Sequence, residues 1–332
     1  MTPKARAVLC LYGALALLVS PVFPHFLSPN EFARWAVAAS IVERGTLDVS
    51  WLSPLLGPGF EDLSSRGGRL YANKAPGLAA VALPGYLAAR PAAGPPAPPG
   101  MRLSLTAMRL VGATLPALLL GIVFARTAAR FGGEPSRVVV GLFALLFATP
   151  LFAYGLLLFS HALAAAGLFG AWAALFLPER QRRAGRRELL AGALLGLAVL
   201  SEPPALVPTA VLVGCAAWRR GVARPLRILL GAVPFAACLL AYNAVCFGGP
   251  FELPSGHEAN PAFRTLAESG IFGVSLPSPS IFLRLLLDPS KGLLVFAPVL
   301  LLSLRALPVS AGVLGRSATV ALGLVPLSLA LL

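Results

Sequence analysis

An all-α, polytopic membrane fold follows from three features of this sequence: its apolarity, the length of its uncharged stretches, and the loops in which positive charge collects. Of its 332 residues, 57% are hydrophobic and only 12% charged, with a mean hydropathy of +0.81, far more apolar than an ordinary soluble domain. Several windows of about 17 to 23 residues contain almost no charge, as a helix crossing a hydrocarbon layer about 30 Å thick requires.

The formal charge of +14 invites a nucleic-acid reading, which its distribution opposes. With the N-terminus on the cytoplasmic side, basic residues cluster at Lys4 and Arg6, at Arg126, Arg130 and Arg137, in "PERQRRAGRRE" (178–188), at Arg219, Arg220, Arg224 and Arg227, and at Arg305 and Arg316. These 16 basic residues face only Glu134, Glu179 and Glu188, whereas the remaining segments hold 11 basic and 10 acidic residues. That asymmetry is the positive-inside pattern, and it suits short loops between spans rather than a basic face for nucleic acid. Cys10, Cys215, Cys238 and Cys246 lie within or beside apolar stretches without metal-ligand spacing, so they read as packing residues. No metal site or cofactor is expected from the sequence.

The spans expected are roughly 7–26, 104–125, 138–156, 161–177, 189–201, 204–218, 228–247, 292–304 and 317–332, about nine in all. The first reads as a retained span, because "SPVFPHFLSPN" is a poor cleavage site. Residues 76–90 are too short and too interrupted by Pro84-Gly85 for a further crossing, which would also put the arginines of 180–187 outside. They read as a re-entrant or juxtamembrane helix. The whole chain is then one integral-membrane domain, 1–332, with a first extracytoplasmic loop at 27–103 and a second at 248–291. Within the first, Phe32, Trp35, Ala36, Ala39 and Val42 recur at helical spacing, predicting an amphipathic helix along the membrane surface. "PAAGPPAPPG" (91–100) predicts an extended linker.

Ser28-Pro29-Asn30-Glu31 has the form of a capping box, with Ser28 at the N-cap, Pro29 at N1 and Glu31 reaching back to a backbone N–H. The same Glu31 carboxylate could instead act as a general base toward an acceptor hydroxyl. Lys74, in "YANKAPG" (71–77), reads either as a snorkelling interfacial lysine or, with Arg34, as a pair of cations suited to a phosphate leaving group. His161 and Glu202 fall at the outer ends of spans, where ionisable groups are costly and often functional. Tyr242 and Asn243 fall near another outer end, and Lys291 follows in "DPSKG". All point to one side of the membrane.

Together "PNEFARWAVAASIVERGTLDV", "YANKAPG", "FSHALAAA", "YNAVCFGGPF" and "SKGLLVFAPVL" resemble bacterial integral-membrane glycosyltransferases of the GT-C type, related to protein O-mannosyltransferases and lipid A aminoarabinose transferases. The resemblance covers most of the chain. It implies a polyprenyl-phosphate sugar donor, an acceptor hydroxyl on a lipid, glycan or protein, and location in the bacterial cytoplasmic membrane. It also implies that Glu31 is the base and that Arg34, Lys74 and Lys291 bind the donor phosphate. Asn30, which stands where the family has a first acid, Tyr71, His161, Glu202, Tyr242 and Asn243 would line the site. The chain ends inside the apolar run "LVPLSLALL", where those enzymes continue, so a fragment or a short variant is expected. A transporter or flippase is the main rival; it would favour an inverted repeat, and none is visible. A non-catalytic relative is the third reading.

Overall fold

The computed structural model describes the chain except residues 24, 56–61, 95, 97, 132, 178–183, 221–222, 268–277, 303–311, 313–315 and 331–332. Arg180, Arg182, Arg183, Arg305 and the middle of the second outer segment lie outside the described residues, as do the side chains of Arg219, Arg220 and Arg316.

The first helix, α1 (Pro3–Val19), starts where the Thr2 hydroxyl accepts from the Ala5 N–H at 3.2 Å, with Pro3 in the first turn. Next come α2 (Pro29–Arg44), a two-stranded antiparallel ribbon of β1 (Leu63–Arg66) and β2 (Arg69–Ala72), α3 (Gly77–Ala93) and α4 (Pro98–Arg109). One turn of wider π-type helix, Leu110–Thr114, joins α4 to α5 (Leu115–Arg130). The remaining helices are α6 (Pro135–Phe147), α7 (Leu151–Tyr154), α8 (His161–Phe176), α9 (Ala184–Ser201), α10 (Leu206–Arg220), α11 (Ala223–Phe247), α12 (Pro261–Ala267), α13 (Pro279–Leu287), α14 (Leu293–Phe296) and α15 (Arg316–Ala330). Apart from the ribbon, the regular structure of the described residues is helical, as expected.

The count of about nine spans is not met. Among the described residues three helices are long and apolar enough to cross a membrane: Pro3–Val22, Gly100–Arg130 and Ala223–Phe247. Pro135–Phe147, His161–Phe176 and Pro203–Trp218 are apolar but shorter, and at 1.5 Å per residue they reach only about 20–25 Å. α9 is longer, but Arg186, Arg187 and Glu188 occupy its first turns.

The surface-helix expectation for α2 also changes. All ten residues 31–40 are buried, so protein surrounds the helix on every side. Trp35 packs against Phe26, Phe32 and Tyr86 and donates to Ser104 Oγ at 2.9 Å. Gly45 closes α2 in a left-handed conformation (φ 61°) that favours glycine. The linker expected at 91–100 is mostly helix: α3 continues through Pro91, and Pro98-Pro99 open α4, where a missing N–H costs little.

At the far end of α2, Glu43 pairs with Arg90 of α3 and accepts from the Tyr86 hydroxyl at 3.0 Å. The Arg90 hydrogen bond holds the Glu43 carboxyl below the usual carboxylate range, against burial, and Tyr86 adds to the lowering. A depressed carboxyl contributes stability above its unfolded pKa and loses it as pH falls through the folded one. Melting temperatures of the wild type and Glu43→Gln should therefore differ at neutral pH and converge in acid. A gap of constant size across that range would remove the pair from the pH response.

Helices α9 and α11 make the most extensive helix contact among the described elements. A Cβ on Gly192 would lie 1.8 Å from the Ile228 carbonyl oxygen, and one on Gly231 would lie 2.1 Å from the Leu189 carbonyl oxygen. The two backbones therefore touch, the approach that small residues permit between apolar helices. Ion pairs form within separate groups of segments. Glu188 meets Arg224 and Arg227, and Glu134 meets Arg137. The segment 27–103 makes its own pairs, including Asp62 with Lys74 and Glu43 with Arg90.

Candidate functional site

The segments 27–103 and 248–291 join across the ribbon. Ser64 bridges Glu258, the Ala259 N–H donates to the Leu63 carbonyl at 2.8 Å, and Ser64 Oγ donates to the Pro254 carbonyl at 2.8 Å. Beside this junction lies a cleft of about 280 Å³ lined by Arg34, Asn73, Lys74, Glu202, Asn243 and Glu258 among others.

Each of these side chains has a local reason for its place. Pro203 and Pro204 stop α9, so Glu202 takes an extended conformation (φ −146°, ψ 94°) at the break. The glycine of "NKAPG" docks the start of α3 on that break. A Cβ on Gly77 would stand 2.4 Å from Ser201 Oγ and 2.7 Å from the Leu200 carbonyl carbon, so the contact that seats Lys74 beside Glu202 has no room for a larger residue. Asp62, just before β1, is the only non-glycine with positive φ (60°) among the described residues; Asp tolerates this region better than most residues. Asp62 Oδ1 accepts from Lys74 Nζ at 2.8 Å.

Arg34 is 4% exposed. Its Nη1 donates to Asn30 Oδ1 at 2.8 Å and to the Asn30 carbonyl at 3.2 Å, and its Nη2 donates to Ser160 Oγ at 2.8 Å. Among the described residues its Nε has no partner, and neither does Asn73 Oδ1. One buried donor and one buried acceptor on residues that line the same cleft are thus unsatisfied, and each such group calls for an explanation. Burial lowers the Arg34 pKa, while Glu202, Asp62 and Glu31 act to keep the guanidinium charged. Burial pushes the Glu258 carboxyl up, against the Asn73 hydrogen bond and the Lys74 charge.

Of the residues singled out from the sequence, Arg34, Lys74, Glu202 and Asn243 line the cleft. Asn30 holds Arg34, and His161 Nδ1 lies 3.5 Å from Glu202 Oε2. Tyr242 donates its hydroxyl to the Ala72 carbonyl at 3.0 Å and packs with Tyr71 and Phe247 in a small core. Those two tyrosines support the ribbon and do not line the cleft. Lys291 edges a different cavity of about 750 Å³, walled largely by Phe147, Phe152, Tyr154, Phe282 and Phe296.

Glu31 requires the largest correction. It is fully buried, and Arg109, also fully buried, grips it through Nε and Nη2, each at 2.7 Å. The Leu158 N–H donates to Oε1 at 2.8 Å and the Leu27 N–H to Oε2 at 2.9 Å. The carboxylate does reach back along the chain as a capping residue, but to Leu27 rather than to Ser28, whose hydroxyl accepts from the Asn30 N–H. With four donors on two oxygens, Glu31 has no lone pair left for an incoming hydroxyl. Its role here is to tie α2, α4 and the segment before α8 together.

Sequence reasoning missed Arg109, Asp62, Asn73, Ser160 and Glu258. Arg109 had a signal, since a lone arginine in an apolar stretch implies a buried partner. Among the described residues, no three His, Cys, Asp or Glu side chains are grouped to hold a metal ion. No family model, curated protein or solved structure matches the chain.

Proposed function

We propose that this chain is a GT-C-type glycosyltransferase that moves a sugar from a polyprenyl phosphate to an acceptor hydroxyl at the extracytoplasmic face of the bacterial cytoplasmic membrane. The observation that carries the reading is the convergence of Arg34 and Lys74, 40 positions apart in sequence, on one cleft that carboxylates also line. A glycosyl phosphate needs cations where the leaving phosphate gathers charge and a base where the hydroxyl loses its proton. The aromatic-walled cavity edged by Lys291 supports a lipid-linked donor. Its Tyr154 ring contacts His161 at 4.4 Å, and His161 stands beside Glu202, so an apolar chamber adjoins the polar cleft.

Detergent-purified protein, given bacterial inner-membrane lipid extract as a source of acceptor hydroxyls, should release polyprenyl phosphate from at least one of a panel of radiolabelled polyprenyl-phosphate sugars. Lys74→Ala should slow that release by about 100-fold to 1,000-fold, the usual cost of one preorganised contact to developing charge. Equal rates in wild type and variant would remove Lys74 from the site, and no release from any donor would end the reading.

A further inference from the structure

Three carboxylates stand at or beside the cleft, and their partners distinguish them. Asp62 is ion-paired with Lys74 at 2.8 Å. Glu258 is buried and receives Asn73 Nδ2 on both oxygens, at 3.0 and 3.2 Å, while its backbone carries the bridge to Ser64. Asp62 is engaged within the first segment, and Glu258 in joining the second segment to it.

Glu202 differs. Its side chain is 27% exposed and lines the cleft. Oε2 accepts from Ser160 Oγ, which in turn accepts from Arg34 Nη2, and His161 Nδ1 faces the same oxygen at 3.5 Å. Oε1 has no partner among the described residues. One oxygen is therefore fixed from behind while the other remains free, the geometry of a general base that must be oriented and still accept a proton. The backbone break at Pro203-Pro204 adds rigidity at the point that carries it.

We propose that Glu202, rather than Glu31, is the general base of this chain, an assignment that rests on the glycosyl-transfer reading. The acceptor hydroxyl oxygen forms a bond to the anomeric carbon, and its proton passes to Glu202 Oε1. The bond from that carbon to the phosphate oxygen breaks, and its electron pair leaves on the polyprenyl phosphate beside Arg34 and Lys74. Asn30 and Ser160 are positioning residues in this scheme. Asn30 fixes Arg34 with a neutral amide, so the guanidinium keeps its charge for the phosphate.

The test follows polyprenyl phosphate released from radiolabelled donors in vesicles of bacterial inner-membrane lipid extract, which supply the acceptors, together with binding of fluorescent undecaprenyl phosphate and melting temperature. Glu202→Gln should lower kcat by about 100-fold or more, leaving KM, lipid-phosphate binding and melting temperature close to wild type, and Glu202→Asp should restore part of the rate. Ser160→Ala, which removes the orienting bond to Glu202 and the acceptor of Arg34 Nη2 while Asn30 still holds that guanidinium, should lower kcat by about tenfold with little change in KM. If the wild type releases product and Glu202→Gln keeps more than about a tenth of its kcat, the assignment is overturned and the glycosyltransferase reading stands. If Glu202→Gln fails to fold, Ser160→Ala decides, and a change in KM alone overturns the assignment. No release by the wild type from any donor overturns both.

Discussion

Replacing Arg109 with alanine should cost about 3–5 kcal/mol of stability, because it leaves the Glu31 charge buried without its counter-ion. The pair is fully buried at both ends, and Arg109 also donates to the carbonyls of Phe23 at 2.6 Å and His25 at 3.1 Å. Its loss would release the chain between α1 and α2 as well as the carboxylate. Glu31→Gln should be severe too, since it withdraws the charge that compensates a guanidinium sealed from water. Combining Glu31→Gln with Arg109→Gln should cost less than the two single changes added, the signature of directly coupled residues. Thermal unfolding in detergent measures all three. The alternative role for Glu31, as a base in contact with substrate, demands the opposite result: Glu31→Gln folded at the wild-type melting temperature and defective in transfer alone.

Gly192→Val should be the other damaging change, costing about 3 kcal/mol or more, at the upper end of what overpacking does. Overpacked cores usually yield by rotating a side chain, but here the first obstacle is the Ile228 carbonyl oxygen, 1.8 Å from where the Cβ would be. Relief requires α9 and α11 to separate, opening the core in which Ala191, Leu195 and Ala198 pack with Ile228. Gly214 of α10 supplies the control, since a Cβ there meets nothing within 4 Å. Gly214→Ala should be neutral or stabilising by up to about 1 kcal/mol, through helix propensity alone. Equal melting temperatures for the Gly192 and Gly214 variants would show that the helices do not touch in this way.

Helical class was legible because apolar stretches and charge-bearing loops are local properties of the chain. Span number was less so. The apolar stretch at 138–156 reads as one segment, yet the structure stops the helix at Phe147 and resumes at Leu151, after Ala148-Thr149-Pro150. Arg34, Lys74, Glu202 and Asn243 could be picked out because charged or amide groups at the edges of apolar runs are conspicuous. Glu31 could not be told from a base, because both a buried ion-pair partner and a base look like one glutamate near a helix start. What separates them is Arg109, 78 residues away in sequence, together with the backbone N–H of Leu158. Asp62 and Glu258 were hidden for the same reason, since their value comes from which segments meet, and that is decided by tertiary contacts.

The bridge between Ser64 and Glu258 has a consequence for biosynthesis. Ser64 Oγ finds its acceptor 190 positions further along the chain, so at about 5–20 residues per second the ribbon waits some 10–40 s on the ribosome for its partner. During that interval Arg34 and Lys74 have emerged, but Glu202 comes later, and the wall that carries Glu258 is among the last described parts of the cleft to appear. The earlier-made half can fold around Glu31 and Arg109 meanwhile. Nascent chains released before residue 258 should therefore be shaped but unable to complete the cleft.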